Sequence, residues 1–377
     1  MALDTYSYTD PLCVGLVQTQ YFHHDGTLPL ESGQQLGPLT LAYETYGTLN
    51  AARDNAILIL HALSGDAHVA GFHTPDDRKP GWWDVMVGPG KAFDTTRYFV
   101  LCANIIGGCM GSTGPKCVNP ATGEPYAMAF PIITIGDMVN AQRLLMDALD
   151  IPRWYAVTGG SMGGMQALQW ATAYPERVAH CIPIATTHRL SAMSIGFNAV
   201  GRAAIMSDPH WQEGHYYGGE LPTNGLAVAR MVAHITYLSE ASMHQKFGRQ
   251  LRHAEDYAWN FDPEFSVETY LHYQGDEFVK RFDANSYLYI TKAMDYFDLG
   301  AVAGTLTNAM AVAQARFLVM SYTSDWLFPT AQARELVRAL RFNGLDVSFV
   351  EIESPSGHDA FLLEHEEMTK LIRGFLG

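Results

Sequence analysis

The sequence predicts an α/β protein: a mainly parallel central sheet flanked by helices, with a helical cap inserted before its last strands. Three observations carry that prediction. Short, unbroken apolar runs such as Ala56–Leu60 (AILIL) and Phe317–Tyr322 (FLVMSY) have the composition of strands buried on both faces. They alternate with segments of helical periodicity, the order a parallel sheet with crossover helices requires. The alternation stops near residue 186 and resumes near 301, and between them lie helical patterns rich in His, Met, Tyr and charged residues. The expected division is a core of residues 1–185 and 301–377 and a helical cap of residues 186–300.

Taken in order, residues 1–38 are polar and irregular, with a candidate strand at Val17–Phe22 and a turn signal at Asp25-Gly26. Leu39–Tyr46 alternates as a strand does, and Gly47 closes it. AILIL follows and runs directly into His61-Ala62-Leu63-Ser64-Gly65-Asp66, a loop. Tyr98–Ala103 is the next buried strand, followed by a glycine-dense loop at Gly107–Pro115. That loop matches neither phosphate-cradling glycine pattern, so no nucleotide is assigned to it. Ile135–Leu149 places Met138, Leu144, Leu145 and Ala148 on one side of a helix. Trp154–Thr158 reads as a strand, a glycine turn follows, and the helix after it is ended by Pro175. Val178–Ile184 is a strand, and the cap offers helical stretches at Gly225–Met243 and Ser286–Leu299. After FLVMSY come a helix at Thr330–Phe342, a strand at Val347–Ile352 and a terminal helix at Phe361–Leu376.

Composition sets bounds on function. A chain of 377 residues, 48% of them hydrophobic, has enough apolar material for a sizeable core. Its net charge of −15 argues against a nucleic-acid partner, which would call for a basic patch. There is no apolar run long enough to span a membrane. The stretch MALDTYSYTDPLCVG lacks the basic start and apolar segment of a secretion signal. The 5 cysteines are scattered without C-x-x-C spacing, as expected of reduced thiols in a cytoplasmic protein; a Cys109–Cys117 bridge is the one pairing left open. No metal is expected, since His365-Glu366-Glu367-Met368 lacks the second histidine of a zinc-protease motif.

The chemistry is concentrated at Gly159-Gly160-Ser161-Met162-Gly163-Gly164, a match to the G-x-S-x-G nucleophile elbow. A serine at the apex of a sharp strand-to-helix turn has strained dihedrals, and only glycine fits two positions to either side. Its hydroxyl needs a base, and the base needs an acid to hold its tautomer. In this architecture they arrive in chain order Ser, acid, His, on loops after later strands. Asp325 stands three residues past FLVMSY, and His358 shortly past the strand Val347–Ile352. Ser161, Asp325 and His358 are therefore the expected triad, with Asp346 and Asp359 as rival acids. The oxyanion donors expected from topology are the backbone N–H of Met162 and that of Leu63 or its neighbour Ala62.

Beyond these residues the chain resembles the homoserine O-acyltransferases of the α/β-hydrolase type over nearly its whole length. The collinear motifs are HALSGDAHVAG from His61, GWWD from Gly81, NIIGGCMGSTGP from Asn104, FPIITIGDMV from Phe130 and GGSMGG from Gly159. ARMVAHITYLS from Ala229, SDWLFP from Ser324 and GHDAFLLE from Gly357 complete the series. The resemblance implies an acyl-CoA co-substrate, no bound cofactor, a serine acyl-enzyme and L-homoserine as acceptor, on the way to methionine. It implies that Arg230 and Asp359 bind the substrate, with Tyr237 a further pocket residue, and that the protein is a homodimer joined through the cap. Members use acetyl-CoA or succinyl-CoA, and succinyl users carry arginine two positions after the acid. Leu327 stands there and offers succinate's carboxylate no partner, so acetyl-CoA is expected, although the flanking SYTSDW and EIESPSGHDAFLL resemble the succinyl branch. Succinyl transfer, L-serine as acceptor and plain ester hydrolysis by the same triad are the rival expectations.

Overall fold

A computed structural model describes residues 6–252 and 256–377. The strands of the main sheet are β1 (Gln20–His24), β2 (Leu39–Tyr46), β3 (Ala56–Leu60), β4 (Phe99–Ala103), β5 (Trp154–Gly160), β6 (Val178–Ile184), β7 (Arg316–Tyr322) and β8 (Val347–Ile352). They form one 8-stranded sheet in the order β1-β2-β4-β3-β5-β6-β7-β8. The β1–β2 and β2–β4 pairs are antiparallel, and every later pair is parallel.

The main helices are α1 (Ile135–Ala148), α2 (Met162–Ala173), α3 (Ala192–Met206), α4 (Thr223–Tyr237), α5 (Glu240–Lys246), α6 (Ser266–Val279), α7 (Ala284–Tyr296), α8 (Thr330–Phe342) and α9 (His365–Leu376). The apolar strands are buried from both sides, which is why their sequences run without alternation. Leu58, Leu60 and Val157 face a core built with α1, α2 and α8, whereas Ile57, Ile59 and Ala156 face Trp83 and α9. α1 starts at a capping box in which the Thr134 side chain accepts from the Asp137 N–H and Asp137 accepts from the Thr134 N–H.

The segment between β6 and β7 carries α3 to α7, and its apolar side is continuous with the core on the α1 and α2 face. The Tyr289 hydroxyl on α7 donates to the Phe130 carbonyl at 2.6 Å and ties this segment to the sheet side.

Several boundaries differ from expectation. The first strand starts at Gln20 rather than Val17, because the Val17 N–H is taken by the Phe72 carbonyl at 2.8 Å. The helix expected over Gly225–Met243 breaks at Leu238. Ser239 caps a new helix by accepting from the Ser242 N–H at 2.9 Å, and Trp326 Nε1 donates to the Leu238 carbonyl at 3.0 Å. The terminal helix is likewise interrupted at Glu364, whose carboxylate accepts from the Ser354 hydroxyl at 2.6 Å. Ser286–Leu299 is shifted to Ala284–Tyr296 because Asp283 accepts from the Ser286 N–H and caps the helix earlier. All five cysteines are free, Cys109 and Cys117 included. No helix among the described residues is long and apolar enough to cross a membrane.

Candidate active site

β5, at the centre of the sheet, ends at Gly160, and α2 begins at Met162, so Ser161 alone makes the turn. Its φ of 58° and ψ of −123° lie where side chains rarely go. The turn closes only because the strand and helix touch backbone to backbone. A Cβ at Gly163 would overlap the Leu60 carbonyl oxygen at the end of β3, and one at Gly159 would meet the same atom. The Thr186 hydroxyl donates to the Ser161 carbonyl at 2.7 Å, and the Ser161 N–H donates to the Ile184 carbonyl at 3.0 Å, which pin the apex to β6.

The loops after β7 and β8 bring the partners. His358 Nε2 lies 2.9 Å from Ser161 Oγ, and His358 Nδ1 lies 2.8 Å from Asp325 Oδ2. The other carboxylate oxygen of Asp325 accepts from the N–H groups of Leu327 at 3.0 Å and Phe328 at 2.9 Å. All three side chains are buried. Burial by itself would push the His358 imidazole down, but the charge and hydrogen bond of Asp325, aided by Asp359, raise its pKa above the ordinary value. Of the rival acids, Asp346 pairs with Arg316 at 2.8 Å at the far end of β7, away from His358.

Met162 supplies the first N–H of α2, which no preceding turn can accept. Leu63 lines the same cavity as Ser161. Among the described residues neither N–H has a backbone acceptor. The cavity wall also includes Tyr237, Tyr287, Phe328 and Leu327, and no charged side chain among the described residues lines it.

Arg230 lies on α4, with Nη1 3.4 Å from the Ser64 hydroxyl and its Nε buried without a partner. Its guanidinium sits 4.6 Å from the centre of the Phe278 ring and 5.6 Å from that of Tyr237. Tyr237 in turn lies 6.0 Å from the His358 ring, so its ring neighbours both the arginine and the histidine. Tyr237 is the last residue of α4, and the break after it lets Gly357 pack its backbone against Tyr237 and Ser239. Asp359 is half-buried; burial raises its pKa, and the charges of His358, Arg230 and Lys246 act against that rise.

Three neighbours of Arg230 went unmarked in the sequence. Arg281 donates to the Ser64 carbonyl at 2.9 Å and lies 5.4 Å from the same Phe278 ring. Ser64 lies in the loop after β3, and Phe278 and Arg281 at the end of α6, so no local pattern could have joined them to α4. The nearby His234 is pushed down to about 3 by burial and by the charges of Arg230, Arg281 and Lys246.

Comparison with known proteins places this geometry. A family profile described as alpha/beta hydrolase fold matches residues 55–365. A homoserine O-acetyltransferase of Rhodospirillum rubrum is 58% identical over 354 residues, covering 93% of this chain and 90% of that protein. The crystal structure of homoserine O-acetyltransferase from Bacillus anthracis matches with a TM-score of 0.91 at 32% identity, covering 96% of this chain and 98% of that one. The structure of esterase E22 matches with a TM-score of 0.90 at 31% identity, covering 96% of this chain and all (100%) of that one.

Proposed function

From the chain's membership of the homoserine O-acetyltransferase family, within the α/β-hydrolase fold, we infer that it moves an acetyl group from acetyl-CoA to the side-chain hydroxyl of L-homoserine, a step toward methionine. The observation that carries this reading is the placing of Arg230 and His358 beside the same Tyr237 ring, with Asp359 next in the chain to that histidine. A guanidinium suits an acceptor's carboxylate and an aspartate its ammonium, beside a serine that can carry an acyl group.

In the proposed mechanism Ser161 attacks the thioester carbonyl while His358 Nε2 takes its proton. The N–H groups of Met162 and Leu63 stabilise the tetrahedral oxyanion, and the CoA thiolate leaves with the proton from His358. The acceptor hydroxyl then gives its proton to His358 and attacks the ester carbon, and His358 returns a proton to Ser161 Oγ. Asp325 keeps Nδ1 protonated and so keeps Nε2 a base.

The acylation step requires neutral His358. Because its pKa is raised, the neutral form is gained only as pH climbs through that raised value, so kcat/KM for acetyl-CoA should show an acidic limb centred above the ordinary histidine value of 6.5. Removing the Asp325 charge removes the main raising influence. The residual activity of Asp325→Asn should therefore have its acidic limb at lower pH; an unmoved limb would contradict the assignment.

Leu327 on the cavity wall supports acetyl over succinyl, since an unpaired buried carboxylate costs about 3 kcal/mol or more. A panel of acetyl-CoA and succinyl-CoA against L-homoserine and L-serine should give a kcat/KM for acetyl-CoA higher by about 100-fold or more. Leu327→Arg should narrow that gap, and a wild-type succinyl preference would reject the argument. The same panel tests the acceptor, for serine is one methylene shorter and discrimination against it is expected to be about 10-fold or more.

Ester hydrolysis is the second reading, favoured by the likeness to esterase E22. It predicts CoA release at the same rate with and without homoserine, whereas transfer predicts release that depends on the acceptor. We also propose a homodimer joined through the helical segment of residues 186–300. Val200, Val228, Ile235 and Tyr273 are exposed on α3, α4 and α6, and light scattering at twice the chain mass would support that assembly.

A further inference from the structure

Two guanidiniums share the Phe278 ring, Arg230 at 4.6 Å and Arg281 at 5.4 Å, and both turn to the same residue of the loop after β3. Arg230 donates to the Ser64 hydroxyl at 3.4 Å and Arg281 to the Ser64 carbonyl at 2.9 Å. Neither of these acceptors is charged. Arg230 Nε is buried and donates to nothing. Two like charges over one ring, with a donor left unused, favour an anion that accepts from both. Burial first, and then the charges of Arg230, Arg281 and Lys246, drive the His234 ring down to about 3, and burial together with Arg230 lowers the Arg281 guanidinium itself. Asp66 and Asp359 act on this pair electrostatically.

We propose that Arg281 is the second arm of a carboxylate clamp, closing with Arg230 across Phe278 on the α-carboxylate of the acceptor amino acid. This rests on the acetyl-transfer reading and deepens it. A carboxylate has lone pairs on both oxygens, enough for a fork from each side, and Arg230 Nε is a donor already desolvated and waiting for one of them. The α-ammonium on the same carbon is then left to Asp359, and the side-chain hydroxyl extends past the Tyr237 ring toward His358 and Ser161. Arg281 is exposed, so this arm is open to an incoming acceptor.

The phosphates of acyl-CoA are the other anions such a pair could hold, and kinetics on Arg281→Met separates the two. With acetyl-CoA alone, the rate of acetyl-enzyme formation should match wild type, because that half-reaction contains no acceptor. The KM for L-homoserine should rise by about 10- to 100-fold, the loss of a charge-assisted hydrogen bond. The inhibition constant of L-2-aminobutyrate, which keeps the carboxylate and ammonium but lacks the hydroxyl, should rise by the same factor. A slower acylation half-reaction with unchanged homoserine KM would transfer the pair to CoA phosphate and overturn the proposal. Equal losses in both half-reactions would reduce Arg281 to a structural brace, and an unchanged homoserine KM would remove it from the site. Wild-type enzyme that fails to acetylate homoserine at all would instead overturn the acetyl-transfer reading, before any variant is made.

Discussion

Replacing Ser161 with alanine is expected to lower kcat by about ten-thousand- to a million-fold while leaving the fold intact. The size follows from what the hydroxyl does in the proposed path. It is the atom on which the acetyl group rests between donor and acceptor, so its loss removes a covalent intermediate and not only a contact. The fold is spared because the glycines around the turn, not the hydroxyl, allow the sharp backbone. Alanine meets the same strain at φ 58° as serine does, and among the described residues the hydroxyl's one hydrogen bond is the one to His358. That bond is worth about 1 kcal/mol. Urea unfolding and steady-state kinetics on the same preparation check both halves. A variant retaining a tenth of wild-type activity would remove Ser161 from the chemistry.

Gly163→Ala is expected to do the reverse and strike stability first. The added Cβ would fall on the Leu60 carbonyl oxygen, and neither partner can yield easily. Leu60 is held opposite Gly159 in the β3–β5 ladder, and Gly163 lies in the first turn of α2, which is packed on those same strands. An overlap between two backbones cannot be relieved by a rotamer change, so the cost should be about 3 kcal/mol or more. The displacement would also carry the loop after β3, and with it the Leu63 N–H, away from the Met162 N–H. The urea midpoint should therefore fall and the kcat of the remaining folded protein should fall with it. A Gly163→Ala protein as stable as wild type would show that the elbow tolerates a side chain there.

These two residues mark what could be read from the chain directly. The strands were legible because burial on both faces leaves no polar position, and AILIL and FLVMSY carry that signature. Ser161, Asp325 and His358 were legible because chain order and strand ends limit where partners can stand, and the structure places the three within hydrogen-bond distance in sequence. What could not be read depends on contacts between distant segments. The break at Leu238 occurs in a stretch with sound helical periodicity; Trp326 and Gly357 meet it there from the loops after β7 and β8. Arg281 and Ser64 are 217 residues apart, and nothing near either one signals the other. The N–H groups of Met162 and Leu63 are main-chain atoms, which side-chain identity cannot locate. The net charge of −15 argues against a nucleic-acid partner, yet the charges of Arg230, Arg281 and Lys246 make the local field beside His234 positive. A sum over the chain says little about one pocket.

The central claim, that Ser161 carries an acetyl group destined for an amino-acid hydroxyl and not for water, meets its most direct test in one experiment. Enzyme is mixed with acetyl-CoA alone, its intact mass and the peptide bearing Ser161 are measured, and L-homoserine is then added. The account predicts one acetyl group on Ser161 that persists in water and is discharged to O-acetylhomoserine on addition of the acceptor. An enzyme that shows no adduct, or one whose adduct is lost to water as fast without homoserine as with it, would contradict the account.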